Sequence, residues 1–484
     1  MTTVFDARTT NSKDNSPPLH IVISPRECSV LQNGYHEADT WTMEFDSRYI
    51  PVDPDALAAA NVRIFMWDDL DGYVGDRLSE LSSVLFSPGS SIKQIQEQLD
   101  NQFGQFEMIR GIADDDKASI ISQDNTIKIS GRDYTAILMA LTWDPKNVIT
   151  TGDPLDVTVQ KIADMAAPAT SQARFAVAWK SQSDIPITGA AHRQSKQKKG
   201  LVQKDGKNAW DVIYDLVLQH GFIVYVQGST IVITDPATQT ADSLGSAPRL
   251  VYGKHLDSLD VDRKFGKDKV PQIIVRAYNP DNDEQIEVIY PAKTNIIVDG
   301  LAVTKNEQEY FPAPKGVVDK AALLRYAQVM FHYKGRGETK YTMKTSCLSI
   351  DNPNATMATD TVGAYPGVTN LLRLRTGAAV GITFDPLNRE HIRSLTLSER
   401  VQHIRALGYS GDIANFAALN IDKLTQYEQP YYMGEGKFDY NIDEGIEIEL
   451  SCYNFASQHR ETYFANQPTY TLDTLNADTV SDGQ

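Results

Sequence analysis

Short segments with an apolar residue at every second position recur along the chain, which favours an architecture built mainly from β-strands. In "TIKISGRDYTAIL" (126–138), Ile127 and Ile129 alternate with Lys128 and Ser130, as in a strand with one wet face. Gly131 then predicts a corner, since no side chain hinders it there. Asp133 is placed to cap a helix starting at Tyr134, with Ile137, Leu138 and Leu141 on one face. Arg132 is expected to pair with a neighbouring carboxylate or carbonyl. Similar runs, "HIVIS" (20–24), "TWTMEF" (40–45), "VRIFMW" (62–67) and "FEMIRGI" (106–112), are separated by turn residues and by a short helical pattern at 90–99. Together they predict a small antiparallel barrel or sandwich.

The period changes at "TTGDPLDVTVQKIADMAAP". Asp153 suits an N-cap, Pro154 the first helical position, and Leu155, Val159, Ile162 and Ala166 recur at helical spacing. A second helix is predicted over 209–220, with Trp210, Ile213 and Val217 on one face and Gly221 as its stop. "FIVYV" and "TIVIT" follow, and Gln227-Gly228-Ser229 between them has the chemistry of a hairpin turn. Residues 150–236 thus read as a small α/β module. Strands resume at about 249, interrupted by a helix over 319–335. "AVGITF" (379–384) and "GIEIELSCYNF" (445–455) follow, the latter with Ile446, Ile448 and Leu450 on one face and Glu447 and Glu449 on the other. Residues 387–436 read as an insertion that is irregular or partly helical. Residues 1–16 and about 466–484 are polar and lack periodic apolar residues, as expected of flexible tails.

At 484 residues the chain exceeds one ordinary core, and two to four domains are expected. No run approaches about 18 consecutive apolar residues, so membrane insertion is not expected. The opening residues lack the apolar centre of a secretory signal. Cys28, Cys347 and Cys452 lie far apart, which predicts reduced thiols and a chain made in a cytosol. The net charge of −17, from 46 basic and 63 acidic residues, repels nucleic acid as a whole. Against that background "RQSKQKKGLVQKDGK" (193–207) is basic, and Arg193, Lys196, Lys198, Lys199 and Lys204 are candidates for contact with an acidic partner.

Catalytic signatures are missing: the sequence holds no phosphate loop, dinucleotide fingerprint, zinc-protease motif or nucleophile elbow. His391 and His403 lie too far apart for a metal motif. Asp68-Asp69, Asp39 and Asp46 read as turn and edge residues rather than acid/base pairs. No enzyme activity, cofactor or metal is expected.

Two stretches carry a resemblance. "HEADTWTMEFDSRYIPVDPDALAAANVRIFMWDD" (36–69) and "EMIRGIADDDKASIISQDNTIKISGRDYTAIL" (107–138) resemble successive segments of the tail hub proteins of phages and related contractile injection systems (the baseplate hub or late control protein D type). "AWDVIYDLVLQHGFIVYVQGSTIVI" is similar to that family's insertion domain, and 319–384 to its second barrel. The resemblance implies a mainly β chain with an α+β insertion: two tail-tube-like antiparallel β-barrels plus a small α/β module. Its implied parts are a flexible tail at 1–18, a first barrel at 19–149, the module at 150–236, a second barrel at 237–386, an insertion of unknown fold at 387–436, a closing strand at 437–465 and a tail at 466–484.

It also implies a structural role at the distal end of a phage tail. Three copies would form a ring joining the tail tube to a spike or tip protein, with tape-measure and baseplate wedge proteins as further neighbours. DNA would be present only in transit, and the protein would be part of the virion after assembly in the host cytoplasm. Gly131, Arg132 and Asp133 would be a fold device, and Glu447 and Glu449 would face the lumen. The competing expectations are a tail-associated cell-wall or polysaccharide hydrolase and a peripheral receptor-binding subunit.

Overall fold

A computed structural model describes residues 2–7, 19–34, 37–46, 48, 60–66, 74–85, 92–119, 126–142, 154–166, 175–179, 207–220, 222–234, 248–251, 255–263, 272–279, 283–290, 297–298, 301–302, 308–313, 317, 319–335, 339–351, 368–371, 374, 376, 378–383, 395–408, 410–424 and 430–454. A 13-stranded sheet dominates it, in the order β12-β18-β23-β22-β3-β4-β7-β6-β5-β1-β2, with β21 pairing both β11 and β22. From the first half of the chain come β1 (Thr2–Ala7), β2 (Leu19–Ile23), β3 (Glu27–Gln32), β4 (Thr40–Asp46), β5 (Asn61–Phe65), β6 (Glu107–Ser119) and β7 (Thr126–Asp133). From the second half come β11 (Arg249–Val251), β12 (Ser258–Arg263), β18 (Thr339–Thr345), β21 (Ala379–Thr383), β22 (Pro430–Asn441) and β23 (Gly445–Asn454).

The mainly β class with an α-containing insertion is therefore present. The strands expected in two barrels are continuous in one sheet, and no closed barrel is present among the described residues. The seam is the antiparallel pair β3–β22, where Val30 faces Phe438 and Cys28 faces Tyr440. One core spans it, from Val30, Trp41, Met43 and Ile129 to Met343, Tyr431, Phe438, Ile448 and Leu450. Two strands of that sheet come from segments outside the expected strand-rich regions. Residues 2–7, expected in a flexible tail, form β1 between β2 and β5. The insertion at 387–436 contributes a helical hairpin and most of β22.

Helices α1 (Val74–Leu85) and α2 (Ile92–Phe103) cover Phe65 through Leu81, Leu85, Leu99 and Phe103. The module expected at 150–236 contains α4 (Leu155–Ala166), β8 (Ala176–Trp179), α5 (Ala209–Gln219), β9 (Ile223–Gln227) and β10 (Thr230–Thr234). Its core also takes in Tyr134 and Leu138 at α3 (Thr135–Ala140). Gly228 has φ of +59° at the first position of a two-residue turn, the backbone that a II′ hairpin demands.

A second small unit lies inside the region expected to be the second barrel. There β14 (Glu284–Tyr290), β13 (Gln272–Asn279) and β17 (Gln308–Pro312) form a sheet covered on one face by α6 (Lys320–Gly335). The two units touch where the Arg325 guanidinium stacks on Phe222 at 5.2 Å and its Nε donates to the His220 carbonyl.

Candidate functional site

Period-2 alternation gives the main sheet a buried face and a wet face. On β7, Ile127, Ile129 and Gly131 point inward, while Lys128 and Arg132 point out. On β23, Ile448 and Leu450 are buried and Glu447 is exposed. Cross-strand register then builds the wet face. Lys344 on β18 stands opposite Glu449 on β23, which stands opposite Lys437 on β22; one row on, Glu447 stands opposite Asp439. Lys344 Nζ donates to Glu447 at 2.9 Å and lies 3.3 Å from Glu449, and Lys437 pairs with Asp439 at 2.5 Å. The hydrogen bonds of Lys344 to Glu447, then Glu449, and the charges of those carboxylates raise its pKa above its ordinary value. The acidic face read from Glu447 and Glu449 is thus a mixed one, with its lysines held by carboxylates.

This face is concave. Lys128 on β7 and Asp257-Ser258 at the start of β12 line the same cleft of about 720 Å³. Those strands are six spacings apart, roughly 29 Å across a flat sheet, so the sheet must curl to bring them together. Six carboxylates line the cleft (Glu27, Glu44, Asp257, Asp439, Glu444 and Glu447) against three lysines (Lys128, Lys344 and Lys437). None of the strongly exposed large apolar side chains among the described residues lies on it.

The Gly131-Arg132-Asp133 segment is arranged differently from the expectation. Gly131 is no corner; it sits inside β7, paired with Trp41 and Ala113. A Cβ there would overlap the Ile112 carbonyl oxygen and the Trp41 ring, so glycine is needed for a close approach. The chain turns two residues later. Arg132 pairs with Asp114, at 2.5 Å from Nε, as expected of a neighbouring carboxylate. Asp133 accepts from the Thr135 backbone N–H at 3.1 Å and from its hydroxyl at 2.9 Å, although Tyr134 occupies the cap position itself. Burial and then the nearby Asp39 charge push the Asp133 carboxyl well above the usual range.

Asp133 and Asp39 border a second cleft, of about 420 Å³, between β6 and the β9–β10 hairpin. Beside it Glu107 sits between Arg63 and Arg110, whose Nε atoms lie 2.6 and 2.9 Å from its oxygens, and both arginines reach Asp100. Burial alone would raise the Glu107 pKa, but the two guanidiniums outweigh it and hold it at about 2. Sequence reading did not single out this network; its only trace was charge at inward positions of otherwise apolar strands.

Arg193, Lys196, Lys198, Lys199 and Lys204 lie outside the described residues. Among the described residues, no group of three His, Cys, Asp or Glu is placed to hold a metal ion, and no helix is long and apolar enough to cross a membrane.

No protein-family model matches the sequence, and no curated protein does. Solved structures do match the fold. A tail protein from Neisseria meningitidis MC58 is 11% identical with a TM-score of 0.52, the match covering 95% of this chain and 98% of that one. The 43 kDa tail protein of prophage MuSo2 from Shewanella oneidensis is 11% identical with a TM-score of 0.50, over 94% and 98% of the two chains. The chain has the fold of phage tail proteins, as the sequence resemblance implied. Nearly the whole length of both molecules takes part in it.

Proposed function

We propose that this protein is a structural, non-enzymatic hub subunit at the distal end of a phage tail, three copies of which form a ring around the DNA channel. The observation that carries this reading is the curled wet face, which runs unbroken across the β3–β22 seam, is rich in carboxylates and is free of large exposed apolar groups. Such a surface lets a polyanion pass without holding it, because net negative charge repels phosphate and Lys344 and Lys437 are already engaged. The two halves of the sheet supply two barrel-like segments per chain. Three chains then present six such segments, which reconciles a sixfold tube above with a threefold spike below. The tail tube and the spike or tip protein are the partners this geometry asks for, with tape-measure and wedge proteins at its margins.

Imaging of assembled tails tests the proposal. The expected result is three copies on the tube axis with Glu447 and Glu449 toward the lumen. A peripheral position, or six copies per ring, would overturn it. Purified protein is expected to release no sugar from cell-wall material; release would establish the hydrolase reading instead.

A further inference from the structure

The junction of β7 and α3 joins the main sheet to the α/β module. Asp133 ends β7, and Tyr134 and Leu138 just after it belong to the module core with Trp210, Val224 and Ile231. A second tie lies at the other end of α3, where the Leu141 carbonyl accepts from the Ala209 N–H at 2.9 Å. These ties make α3 the pivot of the module. Its far side is held less firmly. There the tip of the β9–β10 hairpin meets β6, with Arg110 Nη1 3.4 Å from the Ser229 hydroxyl, longer than an ordinary hydrogen bond. That guanidinium is already held by Glu107 and Asp100. The cleft of about 420 Å³ separates the rest of the hairpin from the sheet.

Two carboxyls stand where the pivot borders the cleft. The Asp133 backbone N–H donates to the Asp39 carbonyl at 2.9 Å, which fixes the two residues side by side, and Asp133 is buried. The other charged groups around it bring no net positive charge. Arg63 and Arg110 are balanced by Asp100 on α2 and Glu107 on β6, and Arg132 is paired with Asp114. The hairpin faces the cleft with Gln227, Ser229 and Thr230, none of which titrates. Ionising Asp133 in the closed arrangement therefore sets two like charges together away from water, and burial and the Asp39 charge accordingly raise its pKa. Admitting water to the cleft relieves both costs, at the loss of one long hydrogen bond.

We propose that the α/β module is a pH-gated flap, which pivots on α3 so that the β9–β10 hairpin lifts off β6 when Asp133 ionises beside Asp39 and reseats when Asp133 is protonated. The flap is closed in acid and opens as pH rises.

The test places one nitroxide on the hairpin and one on α2, through Gln227→Cys and Gln102→Cys at exposed positions of the full chain. Cys347→Ser removes the one native cysteine that is not buried. Double electron–electron resonance then reads the distance from hairpin to helix. A single short distance is expected in mildly acidic buffer, with a second, longer one growing in as the buffer becomes mildly alkaline. Asp133→Asn is expected to keep the short distance throughout, and Asp39→Asn to reduce the longer component. Thermal transitions in the acidic buffer verify that each variant folds. The same distances at every pH, a pH response that survives Asp133→Asn, or one undiminished by Asp39→Asn would overturn the proposal.

Discussion

Around β6, Glu107 lies between Arg63 and Arg110 with side-chain exposures of 9%, 9% and 12%; around β23, Lys344 lies between Glu447 and Glu449 with exposures of 38%, 57% and 33%. Both are charge clusters on the same sheet, and solvent makes them opposites. In the buried cluster no water replaces a lost partner, so removing one ion leaves the others uncompensated. In the exposed one, water and salt take over. Buried charge here organises the fold beneath the α/β module, while exposed charge shapes the wet face of the sheet.

The sharpest break of this contrast is Glu107→Gln, expected to cost about 3–5 kcal/mol in denaturant unfolding at neutral pH, because two buried guanidiniums lose their shared anion. The pH dependence carries the same signature. With the folded pKa depressed to about 2, the Glu107 contribution is present above the ordinary carboxylate value near 4.5 and is lost as pH falls toward 2. The variant's stability should therefore depend less on pH across that window than the parent's. Gly131→Ala comes next, at about 1–3 kcal/mol, through overpacking against Trp41 and the Ile112 carbonyl. Trp41→Leu in the same chain should recover part of that loss, and strict additivity of the two would show that the ring is not the obstacle.

Asp133→Asn probes a buried carboxyl with the opposite shift. Its folded pKa is raised, so the stability tied to it is present below the ordinary carboxylate value and is lost as pH rises through the folded pKa. Titrated unfolding should show the asparagine variant gaining on the parent as pH increases. A constant difference across pH would mean that folding does not shift the Asp133 pKa. Smallest of all is Lys344→Gln, whose thermal transition should match the parent's within experimental error. Any clear destabilisation there would mean that the wet face is covered in the folded protein and would count against the channel wall proposed for it.

Local pattern foretold much of this molecule. Ile127 and Ile129, or Ile448 and Leu450, declare a half-buried strand because side chains alternate across a pleat whatever the strand packs against. Leu155, Val159 and Ile162 declare a helix for the same kind of reason, and Gly228 the hairpin turn. Other elements were hidden. A register shift between Met433 and Glu435 breaks the alternation of β22, so its sequence reads as irregular. Gly131 is read as a corner by its chemistry, yet its real constraint is a tryptophan ninety residues away in the chain.

The same division explains why the continuity of the two halves in one sheet was not legible in the sequence. Periodicity, caps and turn residues act over a few neighbours, and they specify which segments become strands and which face is wet. The choice of partner for β3 lies beyond that range: residues 27–32 pair with 436–441, some four hundred positions on, and nothing in either segment names the other. That pairing is settled by how Val30, Phe438, Tyr431 and Ile448 fill one interior, because close packing rewards only side chains that fit together in three dimensions.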